Sequence, residues 1–336
     1  MGTLSERWLA AYRTNFSDYE LAASEVKSQI EDALRGSALN IHLIEARAKE
    51  PDSVAEKVER RGYGRPGQQF DDLIGIRIIT LFDHSVDEVA KKIRNRFSVD
   101  EERSSDKTSK LILRQVGYRS NHLVIKASSS GLEPVSTVLR KTFVEIQIRS
   151  VIAHAWAEIE HSLRYKIGEG IPPGLARRFD ALAGTLELVD REFSGIEQAT
   201  VQLVLDKSLR YLSGQDLDDS LSTIQVLAAL IARRPEMEAL GPDGLPLPIE
   251  DGFKFAKILV KCGLMTVQDL LNALINNDIL AVIRRFANTQ NYPLEPEKAS
   301  GIVVIGSIVG TWNKSEFQKV AVFQDPKLVA AFEKGV

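Results

Sequence analysis

An α+β architecture is what the amino-acid sequence predicts: a mixed β-sheet flanked by helices, followed by a mainly α-helical C-terminal region. Three observations carry that expectation. Val144, Ile146 and Ile148 alternate with Glu145, Gln147 and Arg149, the period-two pattern of a strand with one buried face. Phe70 to Phe82 is mostly apolar around Asp72 and Arg77, as a long buried strand would be. The segments around these place apolar residues at helical spacing, giving the order helix, strand, helix, strand pair, strand, helix.

Composition sets the frame. A chain of 336 residues allows two domains, or one domain with a large appendage. Hydrophobic residues at 44% and charged residues at 26% suit a globular protein with a real core. A net charge of -3 gives no global attraction for nucleic acid, so an anion site must be a local cluster. The single cysteine, Cys262, excludes a disulfide framework and a cysteine-based zinc site. No stretch reads as a membrane span or a signal peptide, and Glu6 stands where a myristoylation signal has Ser or Thr. The expected location is cytoplasmic.

Residues 4–46 carry Leu4, Trp8, Leu9 and Tyr12, then Leu21, Val26, Ile30 and Leu34, which predict two amphipathic helices joined near Asn15 to Ser17. Thr3-Leu4-Ser5-Glu6 has the form of a capping box. His42 reads as a packed surface histidine. Arg47 and Lys49 alternate as on a short strand; Pro51 breaks it, and Asp52 or Ser53 can cap a helix carrying Lys57. Cations before a helix N-terminus with Lys57 one turn in form a phosphate cradle, against the plainer reading of a solvated basic face. Gly62, Gly64, Pro66 and Gly67 predict a mobile loop.

Asp72 and Arg77, if buried, must pair with each other or ligate a metal, since an unpaired buried charge is costly. His84 falls in an exposed turn, and residues 85–97 predict a helix with Val86, Val89, Ala90, Ile93 and Phe97 on one side. A charged loop from Asp100 to Lys107 is expected to move. Leu111–Arg114 and Arg119–Lys126 predict strands around Gly117-Tyr118, with His122 on the face of Ser120 and Val124. Ser150 is a plausible cap for the helix after the 144–149 strand. If the strands neighbour each other, Asp72, Glu145, several cations and an aromatic ring converge into a magnesium-assisted nucleotide-transfer site.

These residues resemble the RelA/SpoT-type alarmone synthetase domain over roughly residues 40–170. The resemblance rests on Arg47-x-Lys49-x-x-x-Ser53-x-x-x-Lys57, Asp72-Leu73-x-Gly75-x-Arg77, Gly117-Tyr118-x-Ser120-x-His122 and Glu145-x-Gln147-Ile148-Arg149, in that order. His154-Ala155-Trp156-Ala157-Glu158 through Tyr165-Lys166 looks like the family's closing helix. The resemblance implies a nucleotidyltransferase-like fold and transfer of pyrophosphate from ATP to the 3′-hydroxyl of GDP or GTP, making (p)ppGpp. It implies ATP binding by Arg47, Lys49, Ser53, Lys57 and Arg77, with Arg47 on adenine and the lysines on phosphate. It assigns Mg2+ to Asp72 and Glu145, with Glu145 also as general base. The acceptor would be held by Tyr118, His122, Gln147 and Arg149, Tyr118 stacking on guanine.

Many family members place Lys and Asn before the Gly-Tyr pair, where this chain has Arg114-Gln115-Val116. Acceptor identity therefore stays open. A toxic relative acting on the tRNA 3′ end and a non-catalytic nucleotide-binding regulator remain as alternatives; the two carboxylates speak against the latter. No His-Asp pair marks a hydrolase half, so the expected protein is synthetase-only.

The expected domains are 1–198, comprising N-terminal helices 1–46, motif core 47–170 and closing helices 171–198, and a helical domain 199–336. Leu175–Thr200, Leu203–Leu212, Ser220–Arg233, Phe253–Val260 and Thr266–Phe286 predict helices, and Ala299–Trp312 is ambiguous. Arg284 and Arg285 read as a solvated face. Residues 199–336 are expected to serve regulation, homo-oligomer assembly or a neutralising partner.

Overall fold

The computed structural model describes residues 3–35, 39–64, 67, 70–106, 120–126, 138, 139, 142–167, 172–233 and 249–275. The predicted Leu111–Arg114 strand, Tyr118, Arg284, Arg285 and Ala299–Trp312 lie outside these residues. The chain divides into two compact units, Met1–Ile196 and Glu197–Val336.

Unit 1 begins with α1 (Leu4–Thr14) and α2 (Phe16–Leu34), separated at Asn15. The capping box forms: the Glu6 N–H donates to the Thr3 hydroxyl at 3.2 Å, and the Thr3 N–H donates to the Glu6 carboxylate at 2.7 Å. β1 (Ile41–Ala48) leads into α3 (Pro51–Arg61), whose missing proline N–H is harmless at the first helical position. No side chain caps α3, and Ser53 is exposed within it rather than capping it. Gly62 ends α3 in the left-handed conformation (φ 63°), where a side chain would be strained.

β2 (Ile74–Thr80) is shorter than the predicted 70–82 strand, and Asp72 precedes it. Then come α4 (His84–Arg96), β3 (Ser105–Asp106), β4 (Asn121–Lys126), β5 (Phe143–Ser150) and α5 (Val151–Ile167). His84 is half-buried at the start of α4, its ring stacked on Phe82 at 5.8 Å, and not in an exposed turn. The Ser150 hydroxyl accepts from the Ala153 N–H at 3.1 Å, the expected cap of α5.

The sheet order is β1-β2-β5-β4-β3. β2 and β5 are parallel, and the other neighbouring pairs are antiparallel. One face is apolar: Ile44, Ile74, Ile76, Ile78, Leu123, Ile125, Val144, Ile146 and Ile148 pack with Val26 and Ile30 of α2 and Val89 and Ile93 of α4. The opposite face presents Glu45, Arg47, Arg77, His122, Glu145 and Gln147. A sheet with one covered face and one open polar face is a platform for a site.

α6 (Pro173–Leu212) is one continuous helix where two were expected; between Thr200 and Leu203 there is no proline or glycine to stop it. In unit 2, α7 (Thr223–Ala232), α8 (Ile249–Lys261) and α9 (Val267–Leu274) bury Val226, Leu230, Phe255, Leu259, Leu270 and Leu274. Thr266 and Asp269 form a capping box on α9, as the sequence predicts for Thr266. The described part of α9 ends at Leu274, and the predicted continuation to Phe286 lies outside the described residues.

Candidate active site

β-register aligns the open-face groups. Gly75 of β2 stands between Arg47 of β1 and Glu145 of β5, and Arg77 stands between Glu45 and Gln147. With no side chain, Gly75 leaves the space in front of it open: a Cβ there would meet nothing within 4 Å. On the other side of β5, His122 of β4 is paired in register with Gln147. A cavity of about 710 Å³ opens on this face, lined among others by Arg47, Lys49, Asp72, Arg77, Glu145 and Gln147.

Asp72 holds two lysines. Lys49 Nζ reaches Asp72 Oδ2 at 2.9 Å and Lys57 Nζ reaches Oδ1 at 2.8 Å. Burial pushes the Asp72 carboxyl up, but the hydrogen bonds and charges of Lys57 and Lys49 outweigh it and hold the group below the usual carboxylate range. The alternative of an internal Asp72–Arg77 pair is not realised. Arg77 instead lies 3.6 Å from Glu45 and 3.3 Å from Glu158.

Glu145 is held by uncharged and titratable partners instead. His122 Nδ1 lies 2.8 Å from its Oε1, and Gln147 Nε2 donates to its Oε2 at 2.9 Å. Burial raises this carboxyl, the His122 hydrogen bond and charge and the Gln147 hydrogen bond lower it further than burial lifts it, and the Asp72 charge pushes back. The net direction is down, so Glu145 is ionised at neutral pH. That Asp72 is felt at Glu145 places both carboxylates in one electrostatic neighbourhood.

Arg149, 8% exposed, extends the chain by donating from its Nη2 to Gln147 Oε1 at 3.1 Å; its buried Nε has no hydrogen-bond partner among the described residues. Burial and the charges of Arg77 and Arg47 lower its pKa, against Glu158 and Glu145. On α5, burial and then Arg149 and Arg77 lower the pKa of His154, which lies 3.9 Å from Glu158.

The structure thus brings Arg47, Lys49, Asp72, Arg77, Glu145 and Gln147 to one cavity, with Lys57, His122 and Arg149 joined through Asp72, Glu145 and Gln147. Ser53 is exposed on α3 and is not among the residues that line the cavity. Tyr118 lies outside the described residues. Sequence reasoning gave no site role to Glu45 and Glu158, the partners of Arg77. Their signals were present: Glu45 alternates with Arg47, and Glu158 follows His154 by one helical turn.

As to metals, Asp72 and Glu145 offer the hard oxygen donors that Mg2+ takes, which commonly uses one or two carboxylates and completes its shell with water and phosphate. The fit has a condition. Each of the four carboxylate oxygens has one protein partner, so a cation would share these oxygens with the lysines, the imidazole and the amide or would displace them. Among the described residues no group of three or more His, Cys, Asp or Glu could hold a metal ion by itself.

Comparison with known proteins decides the family of this part of the chain. Residues 46–170 match the region found in RelA / SpoT proteins. This segment is a RelA/SpoT domain. GTP pyrophosphokinase YjbM of Bacillus subtilis (strain 168) is 29% identical over 196 residues, which are 57% of this chain and 87% of that protein. GTP pyrophosphokinase YwaC of the same organism is 27% identical over 161 residues, 46% of this chain and 72% of that protein. The crystal structure of the small alarmone synthetase 1 from Bacillus subtilis aligns with a TM-score of 0.45 at 25% identity, covering 57% of this chain and 99% of that one. The four strands that carry Arg47, Arg77, His122 and Glu145 all fall within or overlap the RelA/SpoT domain. Among the described residues no helix is long and apolar enough to cross a membrane.

Proposed function

We propose that the RelA/SpoT domain transfers pyrophosphate from ATP to the 3′-hydroxyl of GDP or GTP, with Mg2+ held by Asp72 and Glu145. The observation that carries this reading is the pair of ionised carboxylates on one cavity with Arg47, Lys49 and Arg77. A site for anions alone would not collect carboxylates.

Lys49 and Lys57, held on Asp72 beside the cavity, bind the ATP phosphates. Arg47 and Arg77 flank the donor base. Glu145, fixed in direction by His122 and Gln147, accepts the proton of the acceptor hydroxyl; the hydroxyl oxygen then bonds to the β-phosphorus, and the bond from that phosphorus to the α-phosphate oxygen breaks, releasing AMP. The metal, when bound, would neutralise charge on the moving phosphates. Gln147 and Arg149 face the acceptor. We assign catalysis to residues 1–198 and a regulatory or assembly role to 199–336.

The test is transfer of label from γ-³²P-ATP with Mg2+, offering GDP, GTP, adenine nucleotides and deacylated tRNA in parallel. Label is expected on a guanine nucleotide. Asp72→Asn and Glu145→Gln should each lower the rate by roughly a hundredfold or more while the fold persists, as loss of a charge-stabilising group does. Normal turnover by both variants refutes the site. Label on tRNA alone replaces the acceptor but not the chemistry.

A further inference from the structure

The aromatic residues of α1 precede the matched segment 46–170, yet they reach the donor side of the cavity. Tyr12, 2% exposed, donates its hydroxyl to the Lys49 carbonyl at 2.6 Å. The Lys49 N–H donates to the Leu73 carbonyl at 2.9 Å, next to Asp72. Lys49 stands one residue beyond the end of β1, an edge strand. Its backbone is therefore tied at both peptide groups, once to α1 and once to the segment that carries Asp72.

Lys57 has a matching support. Its Nζ lies 4.9 Å from the centroid of the buried Phe70 ring. Trp8 joins the two supports, stacked on Tyr12 at 5.4 Å and on Phe70 at 6.0 Å, and Tyr63 meets Phe70 edge-on at 5.2 Å. Gly67 completes the contact: a Cβ there would stand 2.8 Å from the Trp8 indole nitrogen, so a larger residue would require the indole or Gly67 to shift. Burial, then the charges of Tyr19, Glu50 and Asp72, push the Tyr12 phenol up, which keeps it a proton donor.

We propose that Tyr12 is a positioning residue for the donor nucleotide, fixing Lys49 where it grips phosphate, while the Trp8–Phe70 stack does the same for Lys57. The inference rests on the donor reading given above. Holding a lysine on a ligand also costs backbone freedom at that residue, so a backbone already fixed leaves less for binding to order. Tyr12 is buried with its hydroxyl on the Lys49 carbonyl, so it acts through Lys49. Its effect must appear in the donor and not in the acceptor.

Tyr12→Phe removes the hydroxyl and keeps the stacked ring. The expected result is a rise in KM for ATP of roughly two- to tenfold, the loss of one hydrogen bond, with KM for the guanine nucleotide unchanged. Calorimetric binding of a non-hydrolysable ATP analogue should weaken by the same factor. Phe70→Leu, which takes the ring from under Lys57, should repeat this donor-only pattern. Parent-like ATP binding in Tyr12→Phe overturns the inference, and so does an equal change in KM for both nucleotides, which would mark the hydroxyl as structural only. A parent protein that neither binds the analogue nor transfers label overturns the donor reading itself, and this inference with it.

Discussion

Three carboxylates in unit 1, Asp72 and Glu145 half-buried and Asp190 buried, each meet a cost of burial and resolve it differently. Asp72 takes two ammonium groups and Glu145 takes an imidazole and an amide, and both end below the usual carboxylate range. Asp190 on α6, 3% exposed, accepts only the Ser150 hydroxyl on one oxygen; its Oδ1 has no partner among the described residues. Burial therefore dominates, the Ser150 bond opposes it weakly, the Asp83 charge adds to it, and the pKa rises from 3.8 to about 6. The folded state then binds a proton more readily than the unfolded chain. Stability from this group is complete below about pH 3.8 and is lost as pH rises to about 6. The loss is at most on the order of 3 kcal/mol. Asp190→Asn keeps an acceptor for Ser150 and removes the charge, so it should raise the urea midpoint at pH 7, with the gain shrinking toward pH 4. A gain of the same size at both pH values would show that ionisation of Asp190 is not the cause.

At the level of elements, β5 is where sequence and structure agree most directly. Its alternation puts Val144, Ile146 and Ile148 in the core and Glu145 and Gln147 on the open face. The two faces should separate in experiment. Ile146→Ala should cost about 2–5 kcal/mol of unfolding free energy, seen as a lower urea midpoint, with the KM values of surviving enzyme unchanged. Gln147→Ala should leave the midpoint nearly fixed and lower turnover, because Glu145 and Arg149 lose the group between them. A stability loss in Gln147→Ala as large as that in Ile146→Ala would contradict a solvent-facing site. β1 was less legible, and the reason is local. Its register shifts between Ile41 and Leu43, so His42 and Leu43 are both exposed in succession and the period of two is lost. The sequence therefore read as helical up to residue 46, although the alternation of Arg47 and Lys49 at the strand's end was clear. Asp72 was placed within a strand for a similar reason: Leu73 and Ile74 are apolar and buried, but the ladder begins only at Ile74, leaving Asp72 free to turn toward the lysines. The supports from Tyr12 and Phe70 carried no sequence signal beyond core-like spacing. Aromatic residues at such spacing read as packing, and only the fold shows which backbone they hold.

At the level of the molecule, the described groups of the proposed site run from Arg47 to Arg149, their α1 supports lie earlier still, and all belong to the unit Met1–Ile196. The unit Glu197–Val336 carries its own core in α7, α8 and α9 and its own ion-pair cluster, in which Lys207 meets Asp216 at 3.0 Å and Asp219 at 2.8 Å. Two units with separate cores should unfold separately. The division falls inside α6, so a cut at Ile196 would leave a helix end without its last carbonyl partners. A chain ending at Leu212 keeps α6 whole, together with the Asp83 N–H bond to the Ser194 hydroxyl at 3.1 Å and the Ser150–Asp190 contact. That chain is expected to fold, to bind the ATP analogue with the affinity of the full protein, and to transfer label. The full chain should show two calorimetric transitions, one of them shared with the shorter chain. A shorter chain that folds by circular dichroism but binds no nucleotide would show that donor binding needs residues 213–336. Faster label transfer with unchanged ATP affinity would make the regulatory role proposed for that unit an inhibitory one.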